Sequence, residues 1–217
     1  MRNVPSIIVF GGVLLLVGTA WAQATGTKPV TAAPPPAKPA LRRELLAMAE
    51  RDQAIRKEWI AKGVEHPDAS IGARMNAIDT ANTARVKAIV RRYGWPGATL
   101  VGLDGSEAAF LLVQHADYAT QKQMLPLVKK AYQEGSMPGQ DYALLLDRVL
   151  MREGKPQVYG TQARQFSEWK GHEPVLMPIE DEANVDKRRA SVGLFPLAQY
   201  KKMLKEAYFP QDKTTAP

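Results

Sequence analysis

Ala108–Asp117 reads AAFLLVQHAD. Asp104 and Glu107 just before it have capping-box spacing, with Asp as the less usual cap, so the run belongs to a helix. Six apolar residues then lead into Gln114, His115 and Asp117. Polar groups beside so apolar a segment must find partners, because burying them unpaired costs on the order of a few kcal/mol each. The stretch therefore predicts a helix with a polar network at its end.

Outward from that run the helical signal continues. Leu41, Leu45, Met48, Asp52, Ile55 and Trp59 alternate spacings of four and three, one face of a helix over about 40–61. Asp52 is the exception on that stripe, and Arg56 stands one turn on, placed for an i,i+4 ion pair. A second helix carries Ile78, Val86, Ile89, Val90 and Tyr93, with Gly94 as its C-cap and Trp95-Pro96-Gly97 as a turn. Thr120 and Gln123 predict another capping box, with Pro126 expected to kink the helix that follows or shift its start. A helix starting near Ser136 and Pro138 is apolar on most sides and reads as central. Residues 155–179 lack helical periodicity, and Gln157–Gln162 with Pro174–Met177 predict a small hairpin. Two closing helices follow, one ending at Gly193 and one carrying Leu197, Tyr200, Leu204 and Tyr208. The expected fold is mainly α: a single helical domain of about six to seven helices with a small β-hairpin late in the chain.

The ends read differently. Residues 1–22 have the form of a secretory signal, with Arg2, an apolar run from Ile7 to Val17 and Ala20-Trp21-Ala22 as a cleavage site. The expected address is periplasmic or secreted, with cleavage after Ala22 and no stable membrane anchor thereafter. Residues 23–39 are rich in Pro, Ala and Thr and read as a disordered linker. The domain spans 40–209, and 210–217 reads as a flexible tail. Cysteine is absent, which excludes disulfides and thiolate chemistry. The charge of +7 is spread over separate elements without a nucleic-acid motif, so a nucleic-acid partner is not expected. A basic surface facing an anionic envelope accounts for it.

The order of short motifs carries a resemblance. Arg92-Tyr93-Gly94-Trp95-Pro96-Gly97 is followed by Leu100-Val101-Gly102, Gln114-His115-Ala116-Asp117 and Asp147-Arg148. Then come Gly154-Lys155-Pro156-Gln157, Tyr159-Gly160-Thr161-Gln162, Pro178-Ile179, Arg188-Arg189, Gly193-Leu194 and Pro196-Leu197. Together they resemble a bacterial family of uncharacterised domains, a domain of unknown function, from about Leu41 to Tyr200. The resemblance implies a mostly helical fold. It implies no activity, cofactor or catalytic residue.

Three segments break their apolar pattern with polar residues. His115 suits general acid or base work near neutral pH, with Asp117 or Asp52 as the orienting carboxylate. Asp147 and Arg148 sit on the central helix. The carboxylate needs a partner such as Arg56, Arg188 or Arg189, and the guanidinium is suited to a bidentate anion. Gln157, Tyr159 and Gln162 surround Gly160, where a bulge or close backbone approach is expected. Each of these groups has a blander reading as internal packing polarity. No metal is expected, because His66 and His172 lie apart and His115 and Asp117 face different ways on a helix. No P-loop, dinucleotide fingerprint or nucleophile elbow is present, and no cofactor is expected.

The leading expectation is an exported domain binding an unknown small molecule or envelope protein through a polar cleft. Gln114, Asp147, Arg148, Gln157, Tyr159 and Gln162 would line it, beside His115, Asp117 and Asp52. The alternatives are an envelope-directed hydrolase or transferase with His115 as base, and a structural interaction protein with no chemical site.

Overall fold

The computed structural model describes residues 35–63 and 68–209. The secretory signal, most of the linker and the tail from 210 lie outside those residues, as does His66. Seven α-helices are present among the described residues: α1 Pro39–Ala61, α2 Ala69–Tyr93, α3 Ala98–Gln114, α4 Tyr118–Gln133, α5 Gly139–Arg152, α6 Val185–Ser191 and α7 Leu197–Tyr208.

The helix signals of the sequence account for most boundaries. Pro39 starts α1, where a missing N–H costs nothing. Asp68 caps α2 by accepting from the Ser70 and Ile71 amides. Gly94 ends it at φ +73° and ψ −164°, a positive-φ backbone that glycine adopts readily, though not the αL cap. Two starts differ from expectation. The turn Ala98–Val101 runs on into α3 through Gly102, whose φ of 78° breaks the helix two residues before Asp104. There Asp104 accepts from the Gly105 amide and pairs with Arg42 of α1. The α4 cap is Asp117, which takes the Thr120 amide at 2.9 Å and its hydroxyl at 2.8 Å. An aspartate three residues earlier competes successfully with Thr120 for the cap. The α3 helix therefore stops at Gln114, and α4 continues through Pro126 without a break.

The expected hairpin does not form. Residues 157–179 show only two isolated bridges, Gln157 to Ile179 and Ala163 to Leu176. The reason is local. The amides of Val158, Tyr159 and Thr161, which a hairpin would spend on a partner strand, all donate to the Asp147 carboxylate. Pro156, Pro174 and Pro178 have no amide to donate. Gly160 turns at φ +67°, and a β-carbon there would stand 2.8 Å from Ile179 Cδ1 and 2.9 Å from Leu197 Cδ1. The close backbone approach expected at this glycine is what the structure has.

Two apolar clusters hold the helices together. The first joins the N-terminal half of α1 (Leu41, Leu45, Met48, Ala49) to the end of α2, and to α3, α4 and α5. The second joins the C-terminal half of α1 (Ile55, Trp59) and the start of α2 (Ile71, Met75) to Ala163, Trp169, Leu204, Tyr208 and Phe209. Its aromatic rings include Phe166 against Tyr208 at 4.8 Å and against Trp169 at 4.9 Å, spacings of favourable aromatic packing. Both α1 and α2 pass from one cluster to the other, and each carries polar residues at the crossing: Asp52 on α1, Asp79, Asn82 and Thr83 on α2. That crossing positions the site.

Candidate functional site

Asp52 is fully buried, at 0% exposure, on the core stripe of α1. A lone buried carboxylate is not tolerable, and this one is surrounded by donors. Arg56 Nη1, one helical turn on, donates to Asp52 Oδ1 at 2.8 Å. His115 Nδ1 lies 2.9 Å from both carboxylate oxygens, and Gln53 Nε2 donates to Oδ2 at 2.9 Å. The other Arg56 nitrogen, Nη2, reaches both oxygens of Asp79 on α2, at 2.8 and 2.9 Å. The bidentate fork suits guanidinium and carboxylate. His115 enters this network because α3, packed along α1, ends at Gln114 and leaves the histidine as its C-cap.

Burial acts first on each ionisable group here. It pushes His115 down to about 4 despite the pull of Asp52, so the ring is neutral at neutral pH. A carboxylate can only accept, so the neutral ring carries its proton on Nδ1 and presents a lone pair at Nε2. Burial would raise Asp52, but the hydrogen bond from His115 and the charge of Arg56 outweigh it and hold the carboxyl below its usual range. Burial and the neighbouring Asp52 lift Asp79 to about 6 against the pull of Arg56.

Next to this satisfied network stands an unsatisfied one. Arg148 on α5 is 3% exposed, and neither its Nε nor its Nη2 has a hydrogen-bond partner. Gln114, at the last position of α3, has no partner at either amide atom. Its backbone carbonyl accepts from Gln121 Nε2 of α4 at 2.9 Å, while Gln121 Oε1 and His115 Nε2 are unpaired. Burial lowers Arg148 to about 10, which leaves it charged at neutral pH. Its charge bears on His115, and in turn it feels Tyr200, Arg152, Tyr208 and Arg56. A native core leaves few buried polar groups unpaired. Eight residues among those described carry such an atom, and four of them, Gln114, His115, Gln121 and Arg148, lie on three consecutive helices and the junction between the first two.

The other sequence-derived candidates go elsewhere. Asp147 faces the segment after α5, not an arginine. Its Oδ1 accepts from the Val158 amide at 2.7 Å, and Oδ2 from the Thr161 amide and hydroxyl, both at 3.0 Å. The Tyr159 amide is 3.1 Å from each oxygen. Gln157 holds the same segment closed: its Nε2 donates to the Gln162 and Met177 carbonyls, and its Oε1 accepts the Gln162 amide. Gln162 Nε2 donates to Thr161 Oγ1. Tyr159 contributes its amide to Asp147 and its carbonyl to Arg189 Nη1 at 2.7 Å. Arg188 Nε donates to the Val158 carbonyl at 2.8 Å. The segment is wrapped around an anion on its amide side and clasped by two arginines on its carbonyl side. Asp117 is spent on its helix cap. Of the two carboxylates considered for His115, Asp52 is the one within reach.

Asp79 and Gln121 were not singled out by the sequence reading. For Asp79 the signal exists: Ile71, Met75, Asp79, Asn82, Val86 and Ile89 recur at helical spacings of three or four, with polar residues in the middle of the stripe. One ligand atom from each of Asp52, Asp79 and His115 lies within 4.8 Å of the others. These three residues could hold a divalent cation, but the Arg56 guanidinium already occupies the position between the two carboxylates, so a metal would have to displace it.

The chain matches the model of a family of unknown function, DUF6624, over residues 39–213, and belongs to that family. No curated protein and no solved structure matches it.

Proposed function

Within that family, we propose that this protein binds a small polar ligand at the junction of α3, α4 and α5, through Arg148, Gln114, His115 and Gln121. The observation that carries the reading is Arg148: a fully charged guanidinium, 3% exposed, with two nitrogens that donate to nothing among the described residues. Leaving a buried charged donor unmade costs more than its removal would, so such a group persists where a ligand completes it. Gln114 supplies both a donor and an acceptor, and His115 Nε2 supplies an acceptor held in place by Asp52. The surrounding framework is rigid, since Asp52, Arg56 and Asp79 are mutually satisfied and Asp147 fixes the segment beside α5. The ligand belongs to the bacterial envelope: the N-terminal 22 residues read as a cleaved export signal, and the basic surface suits an anionic envelope.

A second reading is an envelope-directed hydrolase or transferase with His115 as general base. It is favoured by one observation, the Asp52 carboxylate 2.9 Å from His115 Nδ1, which orients a neutral ring with its Nε2 lone pair free. A thermal-shift screen of polar metabolites and cell-wall fragments on the mature protein, followed by product analysis of each hit, separates the two. Saturable shifts lost in Arg148→Met and His115→Ala without turnover are the expected result. Turnover abolished by His115→Ala moves the protein to the second reading. A screen with no saturable hit contradicts both.

A further inference from the structure

We propose that the ligand is an anion, carrying a phosphate or carboxylate group that lies against the Arg148 guanidinium. This inference rests on the binding reading above and narrows its chemistry. Arg148 has no carboxylate partner among the described residues, and Asp52, Asp79 and Asp147 are already committed. Asp52 is spent on Arg56, His115 and Gln53, Asp79 on Arg56, and Asp147, the next residue along the chain, on three amides and a hydroxyl. The side chains that act most strongly on Arg148 are two phenols, Tyr200 and Tyr208, and two further cations, Arg152 and Arg56. Both phenols are neutral at physiological pH, since burial pushes Tyr200 up to about 12 and Tyr208 higher. Arg189 lies over the Tyr200 ring at 4.9 Å, so another cation stands behind that phenol.

A buried guanidinium with no carboxylate bonded to it is selective in sign. The low dielectric that makes an unpaired guanidinium costly also makes its interaction with an entering anion strong. The planar fork of two unpaired nitrogens, Nε and Nη2, matches two oxygens of a carboxylate or phosphate. Tyr200 keeps its hydroxyl on the Thr161 carbonyl at 2.7 Å, so it shapes the wall of the site and does not compensate the charge.

The test is titration of the mature wild-type protein with inorganic phosphate, and separately with succinate, at ionic strength held constant with sodium chloride. The expected result is a saturable rise in Tm, about 5–10 °C once a probe exceeds its Kd about 100-fold. The rise disappears in Arg148→Met and falls at least about tenfold in apparent affinity in Arg148→Lys, which keeps the charge but loses the fork. Phosphate acting alone identifies a phosphoryl ligand, and succinate acting alone a carboxylate. If neither anion acts while neutral compounds from the screen give saturable shifts lost in Arg148→Met, the anion inference is overturned and the binding reading stands. If neither anion nor neutral compound binds, both fall.

Discussion

Asp147→Ala lowers the Tm of the protein by about 6–20 °C, one of the two largest effects expected here. Asp147 is 0% exposed and accepts from the amides of Val158, Tyr159 and Thr161 and from the Thr161 hydroxyl. Alanine leaves those amides buried without acceptors. An unmade buried hydrogen bond costs about 1–3 kcal/mol, and loss of a hydrogen-bonded buried anion about 3–5 kcal/mol in total. For a domain of this size each kcal/mol moves Tm by about 2–4 °C. The damage is not confined to residues 157–162, because Arg188 and Arg189 grip the same backbone through the Val158 and Tyr159 carbonyls. Asp147→Asn retains one accepting oxygen and should recover part of the loss. Thermal and urea unfolding followed by circular dichroism measure both. A Tm change under about 3 °C for the alanine variant would mean that the segment is held by its other contacts.

Asp52→Ala is the second large effect. It leaves His115 Nδ1 buried with no acceptor and Arg56 Nη1 with only the backbone carbonyl of residue 52 at 3.2 Å, so Asp79 becomes the one carboxylate bonded to Arg56. Removing one member of a buried charged network costs about 3–5 kcal/mol. Asp79 partly compensates Arg56, so the lower end of that range is expected. The coupling is specific: in an Asp52→Ala, Arg56→Met double variant the Asp52–Arg56 pair is already lost, so its loss of stability should fall short of the sum of the two single losses. The two substitutions form a double-mutant cycle in urea unfolding, with a coupling of at least about 1 kcal/mol. Additive losses would show that the ion pair contributes nothing beyond its separate residues.

These two aspartates show what the sequence makes legible. Asp52 was visible because it interrupts a stripe of apolar residues at helical spacing, and its i,i+4 ion pair with Arg56 is the one the structure has. Asp147 was visible as a charge on a helix apolar on most sides. Its partners were not, because three of them are backbone amides, and the side-chain sequence does not encode where a backbone turns. The same blindness explains the missing hairpin. Gln157–Gln162 has the composition of a strand, and a carboxylate from the preceding helix takes the amides that would have made it one. The helix ends near His115 were misplaced by a few residues because Asp117 and Thr120 both qualify as caps, and only packing decides between them. The convergence of His115 on Asp52 is a long-range contact, between residues 63 positions apart, that local periodicity cannot supply. Asp79 was recoverable: its stripe on α2 has helical spacing and a polar interruption, as that on α1 has.

On the proposed binding function, Arg148 serves a ligand and not the fold. Stability of Arg148→Met against wild type, by urea unfolding of ligand-free protein, tests it most directly. Methionine is close in volume and carries no charge, so removing an unpartnered buried cation should stabilise the domain by about 1–3 kcal/mol, at the expense of binding. A destabilisation of about 2 kcal/mol or more would contradict the account, because it would show that the guanidinium is satisfied within the folded protein and holds its helices together.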